Sequence, residues 1–258
     1  MILTEQNYFS LDSEREYMSN HLWKMFMDCE SKAMAYLRGD WVQPENDAFK
    51  IGHVVEAILQ GRDYMKIEGL TQKNGKLYAK FENAIEMANR AKRDPVFMKM
   101  MHGELQEIYT GEISGLPWKC KTDCVHHELQ VITDLKTTAD FGDDWMEVDG
   151  KNKKVAWYNV FNYARQMAIQ RELVFQQVGK VYEVVIAAVS KQDPPDIALI
   201  HFGNEKDFER EMEVIADKSE RVKKAYKLGA KPIACGKCDY CRGVKVLTGF
   251  EEARGVYE

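Results

Sequence analysis

The chain has 258 residues, 36 Lys and Arg against 41 Asp and Glu, and a formal net charge of -5. That length suits one large domain or two small ones. A hydrophobic fraction of 45% with 30% charged residues is that of a water-soluble globular protein and excludes a disordered or fibrous one. No apolar run nears the ~20 residues that span a bilayer, and the amino terminus, MILTEQNYFSLDSEREY, is too polar and acidic for a signal peptide. The cytoplasm is the expected compartment, with no membrane partner.

From about Ser13 to Leu37 the pattern predicts a helix burying Met18, Leu22, Met25, Phe26, Cys29 and Ala33. A second helix is expected over Asp47–Gln60, where Ile51, Val54, Val55, Ile58 and Leu59 recur at helical spacing and Gly61 stops it. Residues 75–101 read as one or two more helices, divided near Asp94-Pro95. Residues 104–113, 116–125 and 129–136 then alternate as three consecutive antiparallel strands. A long helix follows over about Ala156–Gln177, with strands at Val181–Val189 and Ile197–Phe202 and a charged amphipathic helix from Asn204 to Leu228. The order predicts one α/β domain over 1–258: a mainly helical part (1–101), a catalytic sheet and helix (102–203), and a carboxy-terminal helix with a cysteine-rich tail (204–258).

Chemistry concentrates in two short segments, Lys119-Cys-Lys-Thr-Asp123 and Val131-Ile-Thr-Asp134-Leu-Lys136-Thr-Thr. Side chains alternate along a strand, so Asp134 and Lys136 share a face while Leu135 points to the core. A hairpin turning near His126-His127-Glu128 brings Asp123 beside them. Two carboxylates, the Leu135 carbonyl and water make an all-oxygen site for Mg²⁺ or Mn²⁺, and an adjacent ammonium can orient water and steady charge on a phosphate. This set suits phosphodiester hydrolysis, whereas Asp-x-Lys alone also occurs as an ordinary cross-strand pair.

Two further segments bear on the same site. In the second helix Gly52 and Glu56 are four apart on one face; the glycine permits another backbone to approach, and Glu56 supplies a third carboxylate. In the helix after the Asp-x-Lys strand, Tyr163 and Gln166 are i, i+3 neighbours placed to meet DNA or the lysine. The basic groups Lys151, Lys153 and Lys154, and Lys218, Arg221, Lys223, Lys224, Lys227 and Lys231, are either solvated faces or the local basic strip that an acidic chain still needs to bind DNA.

Together, Gly-x-x-x-Glu, Asp, Asp-x-Lys-Thr-Thr and Tyr-x-x-Gln resemble the phage and prophage RecE-type exonucleases (exodeoxyribonuclease VIII) of the PD-(D/E)xK superfamily, over roughly residues 15–245. The resemblance implies a restriction-endonuclease-like core, a mixed β-sheet flanked by helices. It makes Glu56, Asp123, Asp134 and the Leu135 carbonyl the metal ligands, Lys136 catalytic, and Tyr163 and Gln166 the motif on the following helix. Thr122 stands where the superfamily name has proline, and His53 lies three residues before Glu56, where many RecE-type proteins use histidine. The implied activity is Mg²⁺-dependent exonucleolytic hydrolysis of linear double-stranded DNA, with a RecT-type annealing protein as partner. Some relatives form rings, and nothing in this sequence reports an oligomer.

Six cysteines in a chain of this kind do not suggest disulfides. Cys235, Cys238 and Cys241 lie within seven residues, which points to metal or cluster ligation. Some PD-(D/E)xK nucleases carry an iron–sulfur cluster with one ligand before the glutamate helix and three after the core. That resemblance implies Cys29 with Cys235, Cys238 and Cys241 around a [4Fe–4S] cluster, Zn²⁺ being the chemical alternative. The spacing here is C-x2-C-x2-C, without the longer second gap. Cys120 and Cys124 are expected to pack as small apolar groups. Two other functions stay open at this point: an endonuclease or a repair or CRISPR-linked nuclease with a cluster, and a non-catalytic DNA-binding module.

Overall fold

The computed structural model describes residues 1–250 except Glu45, Asp149 and Thr248. It divides into a larger unit, residues 1–20 and 44–219, and a smaller one, residues 21–43 with the chain from Glu220 onward. No helix among the described residues is long and apolar enough to cross a membrane.

The first expected helix is three: α1 (Leu11–Glu16), α2 (Asn20–Asp28) and α3 (Glu30–Arg38). The first break arises because tertiary pairing outcompetes helix propagation. Met18 bridges Trp118, its N–H donating to the Pro117 carbonyl at 2.7 Å and its carbonyl accepting from Lys119 at 2.8 Å. The second falls at Cys29, whose backbone is extended. Then α4 (Asp47–Leu59) starts on an Asn46 cap whose side chain accepts from Ala48 N–H. After α4 come α5 (Glu82–Lys92) and α6 (Pro95–Met100), the latter capped by Asp94 with proline in its first turn.

The strands are β1 (Glu104–Leu105), β2 (Ile108–Ile113), β3 (Leu116–Lys121), β4 (Cys124–His126), β5 (Val131–Thr138), the β6–β7 hairpin (Asp144–Val148 and Lys151–Val155), β8 (Glu183–Ser190) and β9 (Ile197–Phe202). The remaining helices are α7 (Trp157–Val160), α8 (Tyr163–Val178), α9 (Glu205–Tyr226) and α10 (Asp239–Gly243). The expected three-strand meander does not form. Instead β2 pairs with β3 in a sheet of two, and the chain then leaves for the main sheet at Thr122, whose N–H is taken by the Glu107 carbonyl at 2.9 Å. The helix expected over 156–177 is broken at Asn162, which has φ 54°, a left-handed conformation asparagine tolerates better than most residues. The β6–β7 hairpin was not expected from the sequence.

The main sheet has order β1-β4-β5-β8-β9, with β5 and β8 parallel and the other pairs antiparallel. A parallel pair needs a crossover, and α8 lies within it. This is an α/β fold with a mixed sheet flanked by helices and a helical amino-terminal part, as the sequence predicts. On one face Ala187 and Val189 of β8, with Leu135 of β5, join Val54, Val55, Phe81, Ala84 and Met87 in the hydrophobic core. Period-two alternation then turns Asp134 and Lys136 to the opposite face, where α8 lies.

In the smaller unit the ring of Phe26 meets Tyr226 edge-on at 5.8 Å. Glu30 receives Arg221 Nε at 2.8 Å and Ile233 N–H at 2.8 Å. Lys32 and Trp41 both donate to Asp239, at 2.6 and 3.1 Å.

Candidate active site

The site forms where β5 outruns its neighbour. Thr133 opposite Cys124 is the last of the β4–β5 pairs in that direction, yet β5 continues to Thr138. Extending the register puts Asp123, one residue before β4, opposite Asp134, and cross-strand partners share a face. Asp123 Oδ2 accepts the Leu135 N–H at 2.7 Å, closing part of the open edge. The N–H and C=O of one strand residue point to the same edge, so the Leu135 carbonyl faces that edge too.

Asp134 is 2% exposed. Its Oδ1 accepts from Gln166 Nε2 at 2.6 Å and Gln170 Nε2 at 3.1 Å, while Oδ2 forms an ion pair with Lys136 Nζ. The lysine lies 5.0 Å from the centre of the Tyr163 ring, within cation–π range. Tyr163 and Gln166 thus meet Lys136 and Asp134 respectively. Glu56 joins from α4. Its Oε1 accepts from Gln60 at 3.3 Å and from Gln106, and pairs with Arg62 at 3.2 Å. The same Gln60 amide reaches the Asp123 carbonyl at 3.3 Å, coupling α4 to the strand.

Burial pushes the Asp123 carboxyl up to about 8; Asp134 and Glu56 add to the rise and Lys136 opposes it. For Lys136 burial works against the charged form, but Asp134 and Asp123 outweigh it and hold the ammonium above its ordinary value. Three carboxyl groups are therefore packed together, with Lys136 paired to Asp134 and Arg62 to Glu56, and the buried Asp123 keeps its proton when no further cation is present. The donors are carboxylate and carbonyl oxygens, the class that a hard divalent cation takes. Asp123 Oδ1 carries no hydrogen bond among the described residues, while Glu56, Asp123 and Asp134 do not all bring an oxygen within 4.8 Å of one another.

One expectation needs correction. A Cβ on Gly52 would meet Thr137 Oγ1 at 3.6 Å, an ordinary contact with a side chain, so no close backbone requires that glycine. Sequence reasoning also missed Gln170, Gln60 and Gln106. Gln170 was findable, being i+4 from Gln166 and so on its face. Lys121 was missed as well: burial lowers its pKa, against the pull of Glu56 and Asp123, which marks a second ammonium near the carboxylates.

Of the cysteines, Cys29, Cys235, Cys238 and Cys241 bring their sulfurs within 4.8 Å of one another in the smaller unit. Cys120 and Cys124 are buried elsewhere, and burial raises both thiols. They lie on separate strands, β3 and β4, rather than on one. The basic residues also divide. Lys151, Lys153 and Lys154 are exposed along β7, with Lys154 opposite the 63% exposed Trp145. Arg221, by contrast, is committed to Glu30 through two nitrogens.

Among curated proteins none matches the chain. A crystal structure from Eubacterium rectale named "Putative exonuclease" is 30% identical, aligned over 98% of this chain and 97% of that one with a TM-score of 0.91. The structure of SSO0001 aligns over 85% and 90% at 14% identity, with a TM-score of 0.33, a likeness too slight to bear on fold or function. Residues 19–244 match the model of the PDDEXK-like domain of unknown function (DUF3799). The chain belongs to that PDDEXK-like family.

Proposed function

We propose that the protein is a Mg²⁺- or Mn²⁺-dependent exonuclease acting on linear double-stranded DNA. The observation that carries the reading is the convergence of Asp123, Asp134 and Lys136 at the open edge of β5, where Asp123 has no ion pair among the described residues. The name of the Eubacterium rectale relative supports exonucleolytic action. A divalent cation held by Asp123, Asp134, Glu56 and the Leu135 carbonyl supplies Lewis acidity, polarising a phosphate and making water a better nucleophile.

The chain's own groups do the rest. Gln166 and Gln170 fix the Asp134 carboxylate in one rotamer, and Gln60 ties Glu56 to the Asp123 backbone. Lys136, steadied by the Tyr163 ring, exchanges its pairing with Asp134 for contact with the attacking water and the phosphate oxygen, where charge builds. Lys121, whose ammonium lies 4.8 Å from the centre of the Phe9 ring, would add positive charge near the carboxylates. The exposed β6–β7 hairpin joins β5 to the segment leading into α8, so Lys151 and Lys153 on one face, and Lys154 with Trp145 on the other, are the basic and aromatic groups that would meet the DNA backbone. Phosphate-directed contacts of this kind give affinity without sequence preference. A single-strand annealing protein would use the product, and the cytoplasm would be the place of action.

The test is incubation with end-labelled linear, nicked and covalently closed duplex DNA, with and without Mg²⁺. The proposal expects progressive loss of label from the linear substrate only, abolished by chelation. Cleavage of closed circles would make the enzyme an endonuclease. No cleavage of any substrate in either Mg²⁺ or Mn²⁺ would leave a binding module.

A further inference from the structure

The four clustered thiols are too close together for the cluster that the resemblance implies. Cys29 Sγ and Cys241 Sγ lie 3.6 Å apart, Cys235 Sγ and Cys241 Sγ 4.0 Å, and all four sulfurs fall within 4.8 Å of one another. Four sulfurs around one ion at a bond length of about 2.3 Å stand about 3.8 Å apart, the edge of that tetrahedron. In a [4Fe–4S] cube each thiolate caps a different iron, so the ligand sulfurs must stand well beyond mutual contact. Sulfurs that nearly touch leave no room for the cube.

The surrounding backbone is arranged for a compact, charged sulfur site. Cys238 N–H donates to Cys235 Sγ at 3.3 Å, Cys241 N–H to Cys238 Sγ at 3.4 Å, and Cys235 N–H to Cys29 Sγ at 3.5 Å. Such bonds offset the negative charge that four thiolates retain around a divalent ion. Gly236, with φ 74°, makes the Cys235–Cys238 turn that aims the first of them. The break between α2 and α3 has a purpose here: the extended Cys29 backbone separates the two helices at the residue whose thiol joins the tail. Even the short C-x2-C-x2-C spacing, at odds with the cluster-bearing nucleases, suits ligands gathered on one small ion.

We propose that Cys29, Cys235, Cys238 and Cys241 hold a single zinc ion as a closed tetrathiolate. Zn²⁺ binds as the four thiols release their protons, so occupancy falls in acid. No ligand position is left for substrate, and the role is structural. The ion joins residues 206 to 212 positions apart in sequence, fastening Cys29 to the carboxy-terminal tail. The proposal does not rest on the nuclease reading, because the metal is counted without DNA.

The intact protein, purified anaerobically and dialysed, is assayed for zinc, iron and acid-labile sulfide. The expected result is one zinc per chain with neither iron nor sulfide, and a colourless solution. Iron with sulfide, a single iron without sulfide, or no metal would each overturn the assignment. Cys238→Ser should lower bound zinc at least tenfold; full zinc retention in that variant would also overturn it. Should that variant fail to fold, growth of the wild-type protein in Co²⁺ gives an independent reading. Tetrathiolate cobalt shows intense visible d–d and sulfur-to-metal bands, and their absence from cobalt-loaded protein would contradict the proposal.

Discussion

Two buried lysine–carboxylate pairs in the larger unit, Lys119–Glu14 and Lys136–Asp134, have the same chemistry and different consequences. Lys119 is 0% exposed, and its three protons have three acceptors: the Tyr8 carbonyl at 2.6 Å, Ser13 Oγ at 2.5 Å and Glu14 Oε1 at 2.8 Å. The other oxygen of Glu14 accepts from Ser19 at 3.1 Å. One positive charge meets one negative charge and every polar atom named is paired. At Lys136 a single ammonium faces Asp134 with Asp123 beside it, and Glu56 adds to the strain on Asp123. The first arrangement is closed and holds the amino-terminal segment to β3. The second is open and, in the function proposed, would exchange its internal cation for an external one. A surplus carboxyl, rather than burial or the ion pair itself, separates the lysine proposed for catalysis from the structural one.

The largest effects should come from breaking either pair, in opposite ways. Asp134→Ala, Asp123→Ala or Lys136→Ala should each leave a folded chain whose cleavage falls about a thousandfold or more, since each removes a charge acting at the transition state. Lys119→Met should instead destabilise by about 3–5 kcal/mol by stranding Glu14, and any folded fraction should cleave at the normal rate. The double change Lys119→Met with Glu14→Leu should recover much of that stability. Urea unfolding and single-turnover cleavage on the same preparations separate the two outcomes. A stable but inactive Lys119→Met would put that lysine in the chemistry.

Smaller effects should sharpen the open site. Gln170→Ala loosens Asp134 without removing a ligand, so about a 10–100-fold loss of metal affinity or activity is expected. Glu56→Gln should also weaken metal binding, with activity partly restored by more Mg²⁺. A fully active Glu56→Gln beside an inert His53→Ala would move the role to the histidine. Charge reversal at Lys153 and Lys154 should weaken DNA binding alike for all sequences and reduce the slope of log affinity against log salt by about one per lysine. Unchanged affinity and salt slope would remove the β6–β7 hairpin from the DNA track.

The last is a pH effect on the metal-free protein. Folding raises the Asp123 carboxyl from 3.8 to about 8, so between those values the folded state holds a proton that the unfolded state has released. Stability from this group is full below about pH 4 and is lost as the pH rises through 8. Thermal melts in chelator should decline over that window, and Mg²⁺ should flatten the decline. Parallel curves with and without Mg²⁺ would separate Asp123 from the ion.

Much of this was legible in the sequence because it depends on local periodicity. The alternation Asp134-Leu135-Lys136 gave their opposite faces, and the acid–acid–lysine spacing gave the hairpin that brings Asp123 near. The tail cysteines were evident from density alone. What escaped depends on contacts distant in sequence. Trp118 draws Met18 out of its helix, Asn162 kinks the following helix into α7 and α8, and the Thr122–Asp123 segment carries the chain from one sheet to another. The β6–β7 hairpin was hidden by its polar strands, although the dipeptide Asp149-Gly150 is a known turn signal. Gln60, Gln106 and Lys121 gave no local signal, since an isolated polar residue has no pattern until its partner is known.

The account turns on whether Asp134 binds a cation that drives phosphodiester cleavage. Asp134→Asn keeps the volume and leaves a carbonyl oxygen while removing the charge, so the fold should survive. Cleavage of end-labelled linear duplex by wild-type and Asp134→Asn protein, matched by circular dichroism, across a Mg²⁺ titration is the most direct measurement. The expected result is Mg²⁺-saturable cleavage by the wild type and almost none by the variant at any concentration. Equal cleavage by the two proteins, or wild-type cleavage that persists in excess chelator, would contradict it.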